Sequence, residues 1–161
     1  MKKFRYLLVI GIIVLDQIIK ALIRNTMYIG ESLPVIKEVF HITYVQNRGG
    51  AFSILSGQGL ILTVVPLAAI IFAIWYMEKH LSAHWSLFLS LSLIIGGGIG
   101  NLIDRILLGF VTDMIDFRFF PVFNIADIAV CVGAGFLILY TLIFSEDDAA
   151  KKSGSGSGEP A

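Results

Sequence analysis

The sequence has one cysteine, Cys131, three histidines and four prolines in 161 residues. A single cysteine excludes an internal disulfide framework and a cysteine-cluster metal site. Charge is also scarce, at 15%, where a soluble domain averages about 25%. The 12 basic and 12 acidic residues cancel. A nucleic-acid binder needs a concentrated basic face, so no nucleic-acid partner is expected. What is abundant is apolar: 57% of the residues, with a mean hydropathy of +0.85. A soluble domain averages about 45–50%. These figures depart in the direction of a membrane protein, and the apolar stretches that follow exclude a water-soluble globular fold.

Four apolar stretches are long enough to cross a bilayer as helices, which takes about 20 residues each. They cover about 4–23, 60–77, 85–108 and 123–144. Pro66 falls inside the second, where a membrane helix tolerates it. The first stretch has the basic start of a signal peptide, with Lys2, Lys3 and Arg5. It lacks a small-x-small cleavage pattern and runs on through Asp16 and Lys20, so it reads as a retained span. Four spans place both termini on one side. Lys2, Lys3, Arg5, Lys79, Lys151 and Lys152 make that side cytoplasmic by the positive-inside rule. Arg24, Lys37, Arg48 and Arg118 fall on the other side and weaken the bias.

The expected fold class is an all-α membrane protein, with four transmembrane helices and a small extracytoplasmic β region. Residues 1–144 form one membrane domain. The β region spans about 25–56, with short strands at 33–35 and 39–45, where β-branched and aromatic residues gather. Asn47-Arg48-Gly49-Gly50 reads as a turn. Residues 111–116 read as part of a short loop between the third and fourth spans. The polar tail, 145–161, reads as disordered, and its Ser-Gly repeat as an appended linker, so no function is drawn from it.

Ionisable residues inside membrane spans are functional candidates by default. Asp16, Lys20 and Arg24 recur every four residues on the first span. Asn101, Asp104 and Arg105 lie near the end of the third. Asn124 and Asp127 open the fourth, three residues apart and on one face. Asp113 and Asp116 fall just before it. With alternating span directions, all these groups converge near the outer surface in a shallow polar pocket.

Plainer readings stand beside these. Asp16 and Lys20 have the spacing of an intrahelical ion pair. Asp104 and Arg105 fit an interfacial pair. Asn124 fits a helix cap. Asp127 follows an apolar run without a basic neighbour and resists such a reading. His80 and His84 lie four apart in the cytoplasmic loop, with no further ligand beyond Glu78. Cys131 reads as packing. The glycines at 96–98, 100, 133 and 135 allow close helix approach. Trp75, Tyr76 and Trp85 fit an aromatic belt.

The pocket has no serine or cysteine nucleophile beside a histidine, and no histidine suggesting zinc; no cofactor or metal is expected. What remains is a pair of carboxylates sharing a proton. One activates water and the other donates to a carbonyl oxygen, which is peptide hydrolysis without a covalent intermediate. Spacing alone leaves Asp16, Asp104, Asp113, Asp116 and Asp127 all open as members.

Five motifs occur in order: Asp16-Gln17-x-x-Lys20, Asn47-x-Gly49-Gly50-Ala51-Phe52, Gly100-Asn101-Leu102-Ile103-Asp104-Arg105, Val111-Thr112-Asp113-Met114-Ile115-Asp116-Phe117 and Phe123-Asn124-Ile125-Ala126-Asp127. Together they resemble the bacterial lipoprotein signal peptidases (signal peptidase II), over about residues 5–144. The resemblance implies an intramembrane aspartyl endopeptidase of the bacterial inner membrane. Its substrate would be a prolipoprotein carrying diacylglyceryl, cut before the lipidated cysteine. The catalytic pair would be Asp113 and Asp127. Asn47, Asn101, Arg105 and Asn124 would position the substrate and the pair. Asp104 matches a supporting polar position, and Asp16 and Lys20 would support the fold. Partners would be the lipidated substrate and membrane lipids, and the chain is expected to be a monomer.

The sequence departs from the family at Thr112, where valine is frequent, and at Gly50, where alanine is. Thr112 is expected to add a hydroxyl beside the pair. The segment between Asp113 and Asp127 looks short, implying a tight loop. Two rivals come from other classes. A proton-coupled transporter needs a second polar cluster in the cytoplasmic half, which the sequence lacks. A binder of lipidated peptides needs no catalysis, yet every expected catalytic residue is present. Other intramembrane aspartyl proteases carry a Gly-x-Gly-Asp motif, absent here.

Overall fold

The computed structural model describes residues 2–49, 59–80 and 84–143. Gly50, Ala51 and Phe52 of the second motif, and the tail at 145–161, lie outside these. Four long helices carry the fold: α1 (Lys2–Thr26), α2 (Gly59–Lys79), α3 (Trp85–Leu108) and α4 (Ile125–Ile143). All four are long and apolar enough to cross a membrane. Three strands, β1 (Ser32–Ile36), β2 (Phe40–Asn47) and β3 (Val111–Asp116), form one antiparallel sheet in the order β1-β2-β3.

The strands are longer than the sequence suggested, and β3 replaces an expected loop. The alternation of β3 was hidden because both of its faces are buried. Met114 packs with Ile23, Met27 and Tyr44, which seats the sheet on the end of α1. Asp113 and Val111 turn the other way, toward a groove. A bulge in β2 between Ile42 and Val45 shifts the register, leaving Val45 opposite Asp113 and Asn47 opposite Val111.

α3 is the hub. It packs against α1, α2 and α4, around Val9, Ile70, Met77, Leu87, Leu91, Ile95 and Tyr140. Close approach is possible because side chains are missing where helices cross. A Cβ at Gly100 would stand 2.6 Å from Asp16 Oδ2, and one at Gly97 would collide with the Ala126 carbonyl oxygen. α3 stops at Gly109, whose left-handed backbone (φ 76°) returns its N–H to the Arg105 carbonyl. At the other end His84 is the N-cap, its ring accepting from the Ser86 N–H. Outward-facing Leu7, Ile18, Leu22, Ile71, Leu107 and Leu142 are more than half exposed. Such a surface is unfavourable in water and ordinary in hydrocarbon.

Candidate active site

The turn between β3 and α4 builds the first half of the site. Asn124 precedes the first turn of α4, and its Oδ1 accepts the Asp127 backbone N–H at 2.9 Å. Asp127 Oδ2 accepts the Asn124 backbone N–H in return, at 3.2 Å. This reciprocal pair is a capping box with asparagine and aspartate in the two roles. The same helix start gives its Ala126 N–H to Asp16 Oδ1 of α1, at 3.0 Å. Asn124 is therefore the cap that its position suggested, and more. Its Nδ2 reaches Asp113 Oδ1 at 2.7 Å and Asn101 Oδ1 at 3.0 Å.

Asp113 is 2% exposed and accepts on both oxygens. The second donor is Asn47 Nδ2, at 2.9 Å from Oδ2. Asn47 is the diagonal cross-strand neighbour of Asp113, close enough for a side-chain bond. Its own Oδ1 is held by the Gly49 N–H at 2.9 Å, a tight asparagine turn where the sequence placed one. Asp127 Oδ1 accepts from Asn101 Nδ2 at 2.8 Å. Three asparagines thus each direct a side-chain N–H onto a carboxylate of the pair.

Burial pushes the Asp113 carboxyl up to about 6. The neighbouring Asp127 charge adds to the rise, while hydrogen bonds from Asn47 and Asn124 and the Lys20 charge oppose it. Two like charges close together resist joint ionisation, the property that a shared-proton pair requires.

A second layer supports Asn101 and α4. Lys20 is fully buried, and its Nζ meets Asp16 Oδ2 at 2.9 Å, Asn101 Oδ1 at 2.9 Å and Asp104 Oδ2 at 3.5 Å. Asp16 and Lys20 do form the intrahelical pair. Asp104 does not pair with Arg105. It faces Lys20 and Arg24, and its Oδ2 accepts the Thr112 N–H at 2.9 Å, pinning β3 to α3. The Thr112 hydroxyl also corrects expectation. It accepts from Arg24 at 3.0 Å, because residue 112 faces away from 113 on a strand. Arg24, one of the candidate charges of the first span, belongs to this layer, and so does Gln17, which the sequence marked only as a motif position. Gln17 donates to Asp16, Asp104 and the Gly100 carbonyl. The four-residue recurrence from Asp16 to Arg24 was the available signal.

Asp116 stands apart, bound to Thr43 at 2.7 Å and to Arg118 at 2.7 and 3.1 Å. Burial raises its carboxyl, but these bonds and the Arg118 charge outweigh that and leave it below the usual range. The two histidines bind locally, His80 to the Tyr76 carbonyl and His84 to Ser86.

Asp113 and Asp127 open onto a groove of about 1040 Å³. Its floor is the α3 stripe Ile94, Gly98, Asn101 and Arg105, and its walls include Pro66 and Ala69 of α2 and Cys131 of α4. The lining is mostly apolar, with the carboxylates and asparagines as its polar part. Arg105 lies in the field of Asp127, Asp113 and Asp104. Such an arrangement can hold an apolar ligand and hydrolyse a bond placed at its polar part.

The family model for signal peptidase (SPase) II matches residues 8–143. The lipoprotein signal peptidase of Halothermothrix orenii is 50% identical over 135 residues, covering 84% of this chain and 92% of that protein. That of Clostridioides difficile is 44% identical, covering 86% and 94%. A bacterial membrane enzyme solved at 2.3 Å superposes with a TM-score of 0.81 at 29% identity, covering 99% of this chain and 94% of that one. A second, solved at 1.9 Å, gives 0.78 at 32% identity, covering 89% and 95%. By this similarity, which the fold and the buried carboxylates match, the chain belongs to the signal peptidase II family, aspartic endopeptidases that remove the signal peptide from prolipoproteins.

Proposed function

We propose that Asp113 and Asp127 are the catalytic pair of this peptidase, and that the substrate is a diacylglyceryl-modified prolipoprotein cut before its lipidated cysteine. The observation that carries this is the bridge of Asn124, which binds both carboxylates at the head of an apolar groove. Asp127 acts as the base. It lies in the first turn of α4, where the helix dipole favours an anion, and both of its oxygens accept N–H bonds. Asp113 acts as the acid, its proton retained by burial and by the nearby charge.

In the reaction Asp127 takes a proton from water as the oxygen attacks the scissile carbonyl carbon. Asp113 gives its proton to the carbonyl oxygen, forming a neutral tetrahedral diol. The proton on Asp127 then passes to the leaving nitrogen and the C–N bond breaks. The diol hydroxyl returns a proton to Asp113 as the carboxyl product forms. Asn47, Asn101 and Asn124 hold the pair, and Arg105 binds substrate carbonyls in the groove. Asp104, Asp16 and Lys20 support this arrangement from behind.

We further propose that the protein sits in the bacterial inner membrane as a monomer, with membrane lipids around residues 1–144. Both termini are cytoplasmic and the sheet end faces outward. The amino-terminal basic cluster supports that orientation. The acyl chains of the substrate remain in the apolar groove while the peptide bond meets the carboxylates.

The test is cleavage of a diacylglyceryl peptide by detergent-purified enzyme, with Asp113→Asn, Asp127→Asn and EDTA compared. Both variants should lose at least about 1000-fold in kcat while staying folded, and EDTA should have no effect. Substantial activity in either variant would remove that residue from the pair.

A further inference from the structure

Asn101 is an amide whose two ends are not equivalent in this site. Its Nδ2 donates to Asp127 Oδ1 at 2.8 Å. Its Oδ1 accepts from Lys20 Nζ at 2.9 Å and from Asn124 Nδ2 at 3.0 Å. If the amide turned over, an NH2 group would face an ammonium and another NH2, and a carbonyl oxygen would face a carboxylate. Every one of those contacts is repulsive. Asn124 favours the same orientation, one N–H of its Nδ2 going to Asp113 and the other to Asn101. Lys20 adds a full positive charge to that preference, because an ammonium donates and never accepts.

We propose that Lys20 is a positioning residue for catalysis. It fixes the Asn101 amide so that an N–H always faces Asp127, and so holds the base carboxylate in its attacking orientation. This rests on the reading of Asp127 as the base, and it goes beyond a role for Lys20 in the fold. Lys20 has no contact with the groove and acts through Asn101. Its burial fits that role. A fully buried lysine must be compensated, and Asp16 and Asp104 do this. An apolar residue would fill the volume without the desolvation cost, so the ion pair carries something that packing does not.

Among the described residues, the charged groups around the pair are few. α1 contributes Asp16, Lys20 and Arg24, and α3 contributes Asp104 and Arg105. β3 contributes Asp113 and α4 contributes Asp127, while Arg48, after β2, lines the groove. Lys20 is also near enough for its charge to act on Asp113. Its removal should let the acid form of Asp113 persist to higher pH.

Lys20→Met alone strands two buried carboxylates and is expected to fold poorly. The informative variant is the double change Asp16→Asn with Lys20→Met, which removes one charge of each sign. It keeps an oxygen for the Ala126 N–H and leaves Asp104 with Arg24. Wild type, this variant and Asp127→Asn are compared for melting temperature in detergent, kcat, KM and pH profile on the diacylglyceryl peptide. The double variant is expected to melt near wild type and keep KM. Its kcat should fall about 10- to 100-fold, the cost of a misaligned reacting group. The alkaline limb of its profile should move toward higher pH. A well-folded double variant with wild-type kcat and profile would overturn the proposal, because a purely structural lysine predicts that result. Activity in Asp127→Asn would instead overturn the reading of the base on which it rests.

Discussion

The two carboxylates of β3 differ because their neighbours differ, although they are three residues apart. Asp113 is buried beside another acid and rises to about 6. Asp116 is held below the usual range by Thr43 and Arg118 despite its burial. The Asp113 shift sets an activity limb. In the proposed reaction its acid form is needed for the carbonyl, so kcat/KM should fall about tenfold per unit as pH rises above about 6. A flat profile from pH 5 to 9 would contradict that role. The Asp116 shift sets a stability limb. A carboxyl whose folded value lies below its unfolded one stabilises above the unfolded value and loses that contribution as pH falls. Asp116→Asn should therefore lower the melting temperature at pH 7, with a deficit that shrinks toward pH 3. It should keep most of the cleavage activity, because its contacts are with Thr43 and Arg118 on the other side of β3. Sequence spacing could not separate these acids, since both stand in one six-residue segment. Only the alternation of a strand does so.

Helices were the legible elements and β3 was not. The four helices announce themselves by length and apolarity, and Asn124 as a cap follows from its place before an apolar run. β3 has no polar face to reveal its period, because α1, α3 and β2 cover it. The capping box was half legible: the three-residue spacing was visible, but not the return bond from Asp127 to the Asn124 N–H. The mutual contact of Asn47, Asn101 and Asn124 with the two acids was legible only through family resemblance, since the residues come from four separate elements. Arg24 was legible from its four-residue spacing after Lys20, whereas Gln17 is uncharged and stood out only as a motif position. Gly97 sets how closely α3 approaches the start of α4. A Cβ there would strike the Ala126 carbonyl, which is rigid backbone in the turn that carries Asp127. Gly97→Ala should force α3 and α4 apart, costing about 1–3 kcal/mol of stability. Cleavage should fall with it. Thermal unfolding in detergent measures the first effect, and an unchanged melting temperature would show that the helix crossing yields freely.

Across the whole molecule, the helices are unequally attached. α4 packs on α3 and touches α1, whereas α2 packs on α3. Between α2 and α4 runs the groove, floored by α3 and mostly apolar along its length. Its volume of about 1040 Å³ is just above the range of small-molecule sites, about 300–1,000 Å³. A scissile peptide bond needs only the polar head. The apolar remainder is explained if lipid occupies it while Asp113 and Asp127 work on the peptide. The single cysteine tests this. Cys131 is exposed and lies on the α4 wall, one helical turn beyond Asp127. Cys131→Trp would fill part of the groove without touching either carboxylate. It should lower kcat/KM for a substrate with long acyl chains by about tenfold, a value in line with losing about two methylene contacts at about 0.8 kcal/mol each. A substrate with short acyl chains should be cut nearly as well as by wild type. An equal loss on both would mean that the tryptophan disturbs the acids rather than the lipid. No loss on either would place the acyl chains elsewhere, outside the groove and against the open lipid face of the bundle.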